Sequence, residues 1–299
     1  MKIKSLDYGA AELYDVDICN LTNEDYYQIR EALTTYLTIV IKRQPILIVP
    51  FAKICHKLGK TGIAGFWQAQ WLKDGTRLGQ DMNRNINPTK YTGPDELFPV
   101  QRVTGQRKNG MIAGIFGTGK LDWHNNINGW NRADGVALQG VSPGIVGTST
   151  SFMNTTMAYK DMSDELKKRC EGIVGRYECA VEVWAEGMPD AQFKTIKENN
   201  SLPYLMPLLT KTSKGQTGMF FHFLNNCKFP KDPELLDILK EHCLQQKYIY
   251  THWWEPGDIV ISDQKHTLHK RDQDGDDMLQ ERVLHRYIFY INETDPIID

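Results

Sequence analysis

The spacing of apolar residues changes along this chain, and each change marks an element. The polar run Thr22-Asn23-Glu24-Asp25 precedes Tyr26, Ile29, Leu33 and Leu37, spaced three and four apart, which predicts a capped amphipathic helix. Thr38-Ile39-Val40-Ile41 follows, β-branched throughout, and predicts a strand. A shorter helix over residues 51–58 should stop at Gly59 as its C-terminal glycine. Residues 136–141 and 147–152 predict two strands joined by a turn at Pro143-Gly144, after which Ser163 caps a helix carrying Leu166 and Cys170. Asp232-Pro233 pairs a capping side chain with proline at the first helical position, so a helix with Leu235, Leu236, Leu239 and Cys243 on its buried face should begin there. Residues 248–254, 258–262 and 283–291 have strand composition and length.

Residues 60–120 are rich in Gly, Asn and Pro apart from the aromatic run Phe66-Trp67-Gln68-Ala69-Gln70-Trp71, and predict long loops over a scaffold. No repeat, low-complexity tract or linker divides the chain. Strands on both sides of a central insertion, with few helices, predict a mainly β fold with flanking helices around a jelly-roll core. We expect one domain over 1–299: a helix and strand region at 1–60, a loop-rich region at 60–120, and the core at 120–291.

Composition narrows the function. Of the 299 residues 41% are hydrophobic and 24% charged, and the net charge is −2, so nothing in the electrostatics calls for nucleic acid or an anionic membrane. No stretch approaches the ~20 apolar residues that span a bilayer, and Met1-Lys2-Ile3-Lys4 leads into polar sequence without an apolar signal core. The six cysteines are scattered with no C-x-x-C pair, as expected for free thiols in a reducing compartment. A cytoplasmic protein acting on a small molecule is the expectation; oligomeric state is left open.

The candidate chemistry lies in two places. In Asp122-Trp123-His124-Asn125-Asn126, extended backbone would turn residues 124 and 126 to the same side. His266 and His269 both follow the 259–262 strand; being three apart they should face opposite ways, so only one can share a metal with His124, and the spacing leaves open which. On the last strand Arg282, Leu284, Arg286 and Ile288 share one face, while Val283, His285, Tyr287 and Phe289 share the other. Two guanidinium groups can thus converge on one anion, with the Thr150 hydroxyl adding a hydrogen bond; alternatively they are solvated and paired with residues such as Asp276, Asp277 or Glu281. Iron(II) holding a bidentate keto acid needs such a set of imidazoles and guanidiniums.

These segments, in order, resemble the taurine dioxygenase-like (TauD/TfdA) family of iron(II), 2-oxoglutarate-dependent oxygenases from about residue 29 to residue 290. The matching stretches are Ile39-Val40-Ile41 with the helix to Gly59, Trp123-His124, Gly147-Thr148-Ser149-Thr150, and residues 235–286. Residues 235–286 are the most specific, with the turn Trp254-Glu255-Pro256-Gly257-Asp258, Asp263 ahead of the distal histidine, and Arg282-Val283-Leu284-His285-Arg286.

The resemblance implies a double-stranded β-helix core, with His124 and His269 holding the metal and His266 a neighbour. Arg282, thirteen positions after His269 (282 − 269 = 13), would bind the far carboxylate of 2-oxoglutarate with Thr150 assisting, and Arg286 would face an anionic group of cosubstrate or substrate. Where the family pattern has a carboxylate ligand this chain has Asn126, a neutral donor that can coordinate weakly or hydrogen-bond a water or anion in that position. Asp122 shares the parity of His124 but lies on the wrong side of it to substitute. The implied activity is hydroxylation of a small organic substrate using Fe(II), 2-oxoglutarate and O2. Alternatives are a halogenase using the vacated position and a catalytically silent small-molecule-binding protein. Residues conferring taurine specificity are not recognisable; substrate contacts are expected from the 60–120 and 185–220 loops, including the aromatics near Trp67 and Trp71.

Overall fold

In the computed structural model the described residues are 1–61, 70–71, 77–78, 100–108, 111–112, 116, 121–127, 133–177, 204–222, 227–273 and 281–291. Trp67, Asp276 and Asp277 lie outside them, as does most of the 60–120 and 185–220 loops. Helix α1 (Asn23–Tyr36) starts at Thr22, whose hydroxyl accepts from the Asp25 N–H while the Asp25 carboxylate accepts from the Thr22 N–H. It ends at Leu37, which adopts φ 63° and feeds directly into a strand. Helix α2 (Ile48–Leu58) stops at Gly59 at φ 169°, an extended rather than left-handed backbone. The expected glycine cap is therefore replaced by the start of a short strand, Gly59–Thr61.

The larger sheet contains β1 (Lys2–Ser5), β2 (Ala11–Tyr14), β3 (Thr38–Ile41), β4 (Gln101–Val103) and β5 (Gly135–Gly140). The smaller contains β6 (Ser149–Asn154) and β7 (Ile249–Trp253). Strand β8 (Ile259–Asp263) returns to the larger sheet, β9 (Thr267–Arg271) to the smaller, and β10 (Leu284–Ile291) to the larger. The larger sheet runs β1-β2-β3-β8-β5-β10-β4 and continues into the short strands Gln70–Trp71 and Arg77–Leu78, while the smaller runs β7-β6-β9. From β5 to β6, and again from β7 through β10, consecutive strands thus alternate between two sheets, as the jelly-roll expectation requires.

Period-two alternation sorts the core. Ile39, Ile41, Ala137, Ile259, Ile261, Tyr287 and Phe289 face outward beneath Ile29 and Leu33 of α1 and Phe51, Ile54 and Leu58 of α2. The intervening Val40, Val260 and Leu284 turn inward against Phe152 and Trp254. Both faces of this sheet are covered, so its central strands are apolar rather than alternating. The smaller sheet presents Met153, Ile249 and Leu268 to a second core with Phe220, Phe221, Leu235 and Leu239. Each fully buried Ile, Leu or Phe contributes about 1.5–3 kcal/mol.

Around this second core lie α3 (Thr155–Lys160), α4 (Asp164–Cys170) and α5 (Leu235–Cys243). Ser163 caps α4 as expected, its hydroxyl accepting from the Leu166 N–H. Helix α5 begins at Leu235 rather than at Asp232-Pro233. The Asp232 carboxylate accepts from Arg169 Nε and Nη2 at 2.5 and 2.7 Å, and it also faces the Glu234 and Leu235 N–H groups of the turn that leads into the helix. No helix among the described residues is long and apolar enough to cross a membrane.

Candidate functional site

The inner faces of the two sheets enclose a cavity. Residues 121–124 run antiparallel beside the edge strand β9: the His124 N–H donates to the His269 carbonyl at 3.0 Å, the His269 N–H to the His124 carbonyl at 2.8 Å, and the Arg271 N–H to the Leu121 carbonyl at 3.1 Å. A single bridge replaces the strand expected around residue 124, yet it brings the two imidazoles together, ring centroids 4.3 Å apart and planes inclined at 46°. His124 Nδ1 lies 2.6 Å from the Asp122 carbonyl, which can only accept, so this nitrogen carries the proton and Nε2 keeps its lone pair. His269 Nε2 is approached by the Asn126 side-chain N–H at 3.3 Å and so acts as an acceptor as well.

Asn126 is oriented by a residue that the sequence reading did not single out. Gln264, fully buried, accepts through Oε1 from both the backbone and side-chain N–H of Asn126 at 3.2 and 2.9 Å, and donates from Nε2 to Ser262 Oγ at 2.7 Å. The Asn126 amide nitrogen is thereby turned toward Gln264 and His269.

Opposite these groups the wall is cationic. Arg282 and Arg286 line the cavity together with His124, Asn126, Thr150 and His269, as the face-sharing on the last strand predicts. Arg286 Nη1 donates to Gln101 Oε1, its cross-strand neighbour, and its guanidinium lies 5.7 Å from the Phe116 ring centroid. Thr150 Oγ1 accepts from Trp254 Nε1 at 2.9 Å, leaving its own proton available to a ligand. A third guanidinium, Arg271, also lines the cavity, and the sequence reading missed it. Its signal was present, since Arg271 is two residues beyond His269 and shares its strand face. No described residue lining the cavity is acidic, and the space amounts to about 50 Å³ measured to the centre of a water-sized sphere, room for a few ordered waters.

This environment sets the protonation states. Burial is the main cause that lowers His124 to about 4, with the Arg286 and Arg271 charges adding to it, while the bond to the Asp122 carbonyl opposes. His269 is pushed well below the ordinary imidazole value by burial, then by His124 and Arg286. Both are therefore neutral at pH 7, the form that ligates a metal. Burial also presses Arg282 and Arg286 below the ordinary guanidinium value, with Arg271 adding to this at Arg282. Guanidinium nevertheless stays charged in proteins, so an incoming anion relieves a standing electrostatic cost.

Other candidates fall away from the cavity. His266 is buried with Nδ1 2.7 Å from the Asp263 carboxylate, a neighbour with a structural role. The Asp122 carboxylate accepts from the Trp123 N–H at 2.8 Å. Among the described residues no three His, Cys, Asp or Glu side chains are grouped to hold a metal. A larger depression of about 450 Å³ lies between α1 and Ser213-Lys214, but no histidine or cysteine lines it, and its Lys214 is paired with Glu31 at 2.5 Å.

Comparison with known proteins bears on the family and the fold. The family model described as taurine catabolism dioxygenase TauD, TfdA family matches residues 2–288. Pentalenolactone F synthase of Streptomyces arenae is 23% identical over 258 residues, covering 75% of this chain and 85% of that protein. The alpha-ketoglutarate-dependent 2,4-dichlorophenoxyacetate dioxygenase of Burkholderia sp. (strain RASC) is 26% identical over 129 residues, 42% of this chain and 43% of that one. Among solved structures, AAD-2 in complex with Mn(II) and N-oxalylglycine superposes with a TM-score of 0.69 at 18% identity, covering 99% of both chains. A taurine dioxygenase from Burkholderia xenovorans gives 0.67 at 19% identity, covering 97% of this chain and 89% of that one. At these identities the structural likeness establishes the double-stranded β-helix fold.

Proposed function

Given that the chain belongs to the taurine catabolism dioxygenase TauD, TfdA family of iron(II), 2-oxoglutarate-dependent oxygenases, we propose that it hydroxylates a small organic substrate, consuming O2 and releasing succinate and CO2. One observation carries this reading: two neutral imidazoles in contact, each with its Nε2 lone pair preserved, meet three guanidiniums at one cavity whose described lining has no acid. That donor set fits a divalent metal together with a doubly charged keto acid.

His124 and His269 would hold Fe(II) through Nε2, with the Asn126 amide beside them in the position where the family pattern has a carboxylate. Arg282 would grip the far carboxylate of 2-oxoglutarate in its fork while the Thr150 hydroxyl donates to the same group. Arg286, steadied by Gln101, would neutralise an anionic group of cosubstrate or substrate. Val103, Leu121, Val136, Leu138 and Leu284 line the rest and exclude water, which strengthens every charge interaction inside. When bound, iron and the keto acid supply the O2 activation and oxidising power that these side chains lack.

A second reading is favoured by the Asn126 amide N–H directed at His269 Nε2, because that donor must turn away before this nitrogen can take a metal. On that reading the protein binds a keto acid without oxidising anything. Anaerobic addition of Fe(II) and 2-oxoglutarate separates the two. The oxygenase should develop the weak visible metal-to-ligand absorption of the chelate; its absence at saturating ligand leaves the silent reading. A halogenating variant would be identified by product mass with and without chloride once a substrate is in hand.

A further inference from the structure

Arg271 is assigned no role by the family resemblance, yet its position is specific. Thr150 on β6 and Arg271 on β9 are direct cross-strand partners, two pairs along from Phe152 and His269, so the four side chains share the inner face of the smaller sheet. Arg271 is 5% exposed, and its Nη1 donates to the Phe116 carbonyl at 2.8 Å, which fixes the fork at the cavity wall. Arg282 enters the same cavity just ahead of β10, on the opposite sheet, and its buried Nε has no hydrogen-bond partner. The two guanidiniums are near enough for Arg271 to act electrostatically on Arg282. Two like charges buried at one cavity repel, and a planar carboxylate between them can accept from both, because its two oxygens offer about four acceptor sites.

We infer that Arg271 is a second guanidinium for the far carboxylate of the keto acid, which is held between Arg271 and Arg282 with the Thr150 hydroxyl completing the clamp. This rests on the 2-oxoglutarate reading given above and deepens it. Where the family pattern places a charged ligand at residue 126 this chain has a neutral amide, and it adds a cation at the far end of the cosubstrate. Anchoring is thereby shifted from the metal toward the carboxylate, so a dicarboxylate should be retained even by metal-free protein.

Calorimetric titration tests this with 2-oxoglutarate and with 2-oxopentanoate, a keto acid of the same chain length lacking the far carboxylate, each run without metal and with Mn(II). Arg271→Gln should weaken 2-oxoglutarate at least tenfold, the scale of one charge-assisted hydrogen bond, and leave 2-oxopentanoate within twofold. Arg271→Lys, which keeps the charge but not the fork, should fall between wild type and Arg271→Gln, and it guards against a variant that fails to fold. Equal weakening of both keto acids, or of neither, overturns the clamp while leaving the oxygenase reading intact. If wild type binds 2-oxoglutarate under neither condition, the cosubstrate reading itself falls and the clamp with it.

Discussion

The two faces of β10 are almost equally buried and chemically opposite. Tyr287 and Phe289 are 0% exposed on the outer face, packed beneath α1 and α2; Arg286 and Arg282 are 3% and 5% exposed on the inner side. Burial alone therefore does not separate core from site. The difference lies in what surrounds each face: the outer packs against apolar side chains of α1 and α2, while the inner opens on a cavity whose described lining carries positive charge and no acid. The outer face should govern stability and the inner face binding.

The largest expected effect is on the outer face. Phe289 lies directly over Gly135, its cross-strand partner, so closely that a Cβ added at Gly135 would come within 2.5 Å of the ring. Phe289→Ala should cost about 3–5 kcal/mol in denaturant unfolding. Gly135→Ala should also destabilise, by displacing the ring. A stability change below about 1 kcal/mol for Phe289→Ala would mean that the outer face is not the packed half.

A smaller effect on the same face is linked to pH. His285 is half-buried, with Nδ1 3.2 Å from Gln139 Oε1, and burial, then the Arg102 charge, lowers it to about 4. Its folded value lies below its unfolded value, near 6.5, so the unfolded chain takes up the proton first. Stability from this group is complete above pH 6.5 and is lost as pH falls toward 4. After allowance for partial exposure the loss is about 1–2 kcal/mol, and His285→Gln should flatten the unfolding profile across that window. An unchanged slope would remove His285 as its cause.

The smallest stability effect should come from the inner face. Arg286→Met removes a buried charge at the cost of the hydrogen bond to Gln101, and stability should move by no more than about 1 kcal/mol, while binding of an anionic keto acid or substrate falls at least tenfold. A loss as large as that of Phe289→Ala would erase the distinction between the faces.

Much of this was legible in the sequence, and the exceptions have physical causes. Parity on the last strand separated Arg282 and Arg286 from His285 and Phe289, because successive side chains of a strand point to opposite faces. The choice of His269 over His266 came from the resemblance and not from spacing; in the structure His269 lines the cavity and His266 is held by Asp263. Arg271 was readable from its place two residues beyond His269, but a lysine and an arginine after a histidine look like a solvated run. Gln264 was not readable at all: it sits in the turn between β8 and β9, where no period applies, and its partner Asn126 is 138 residues away. The regular part of α5 begins three residues later than the Asp232-Pro233 signal, because a turn closed by the Leu235 N–H on the Asp232 carbonyl comes first.

The central claim is that His124 and His269 share one ion, and Mn(II) binding followed by electron paramagnetic resonance tests it most directly, with melting temperature as the control for folding. Wild type and His266→Gln should each bind one ion per chain in the presence of 2-oxoglutarate, while His124→Ala and His269→Ala should lose it. Retention by either alanine variant, or a loss confined to His266→Gln, would contradict the account.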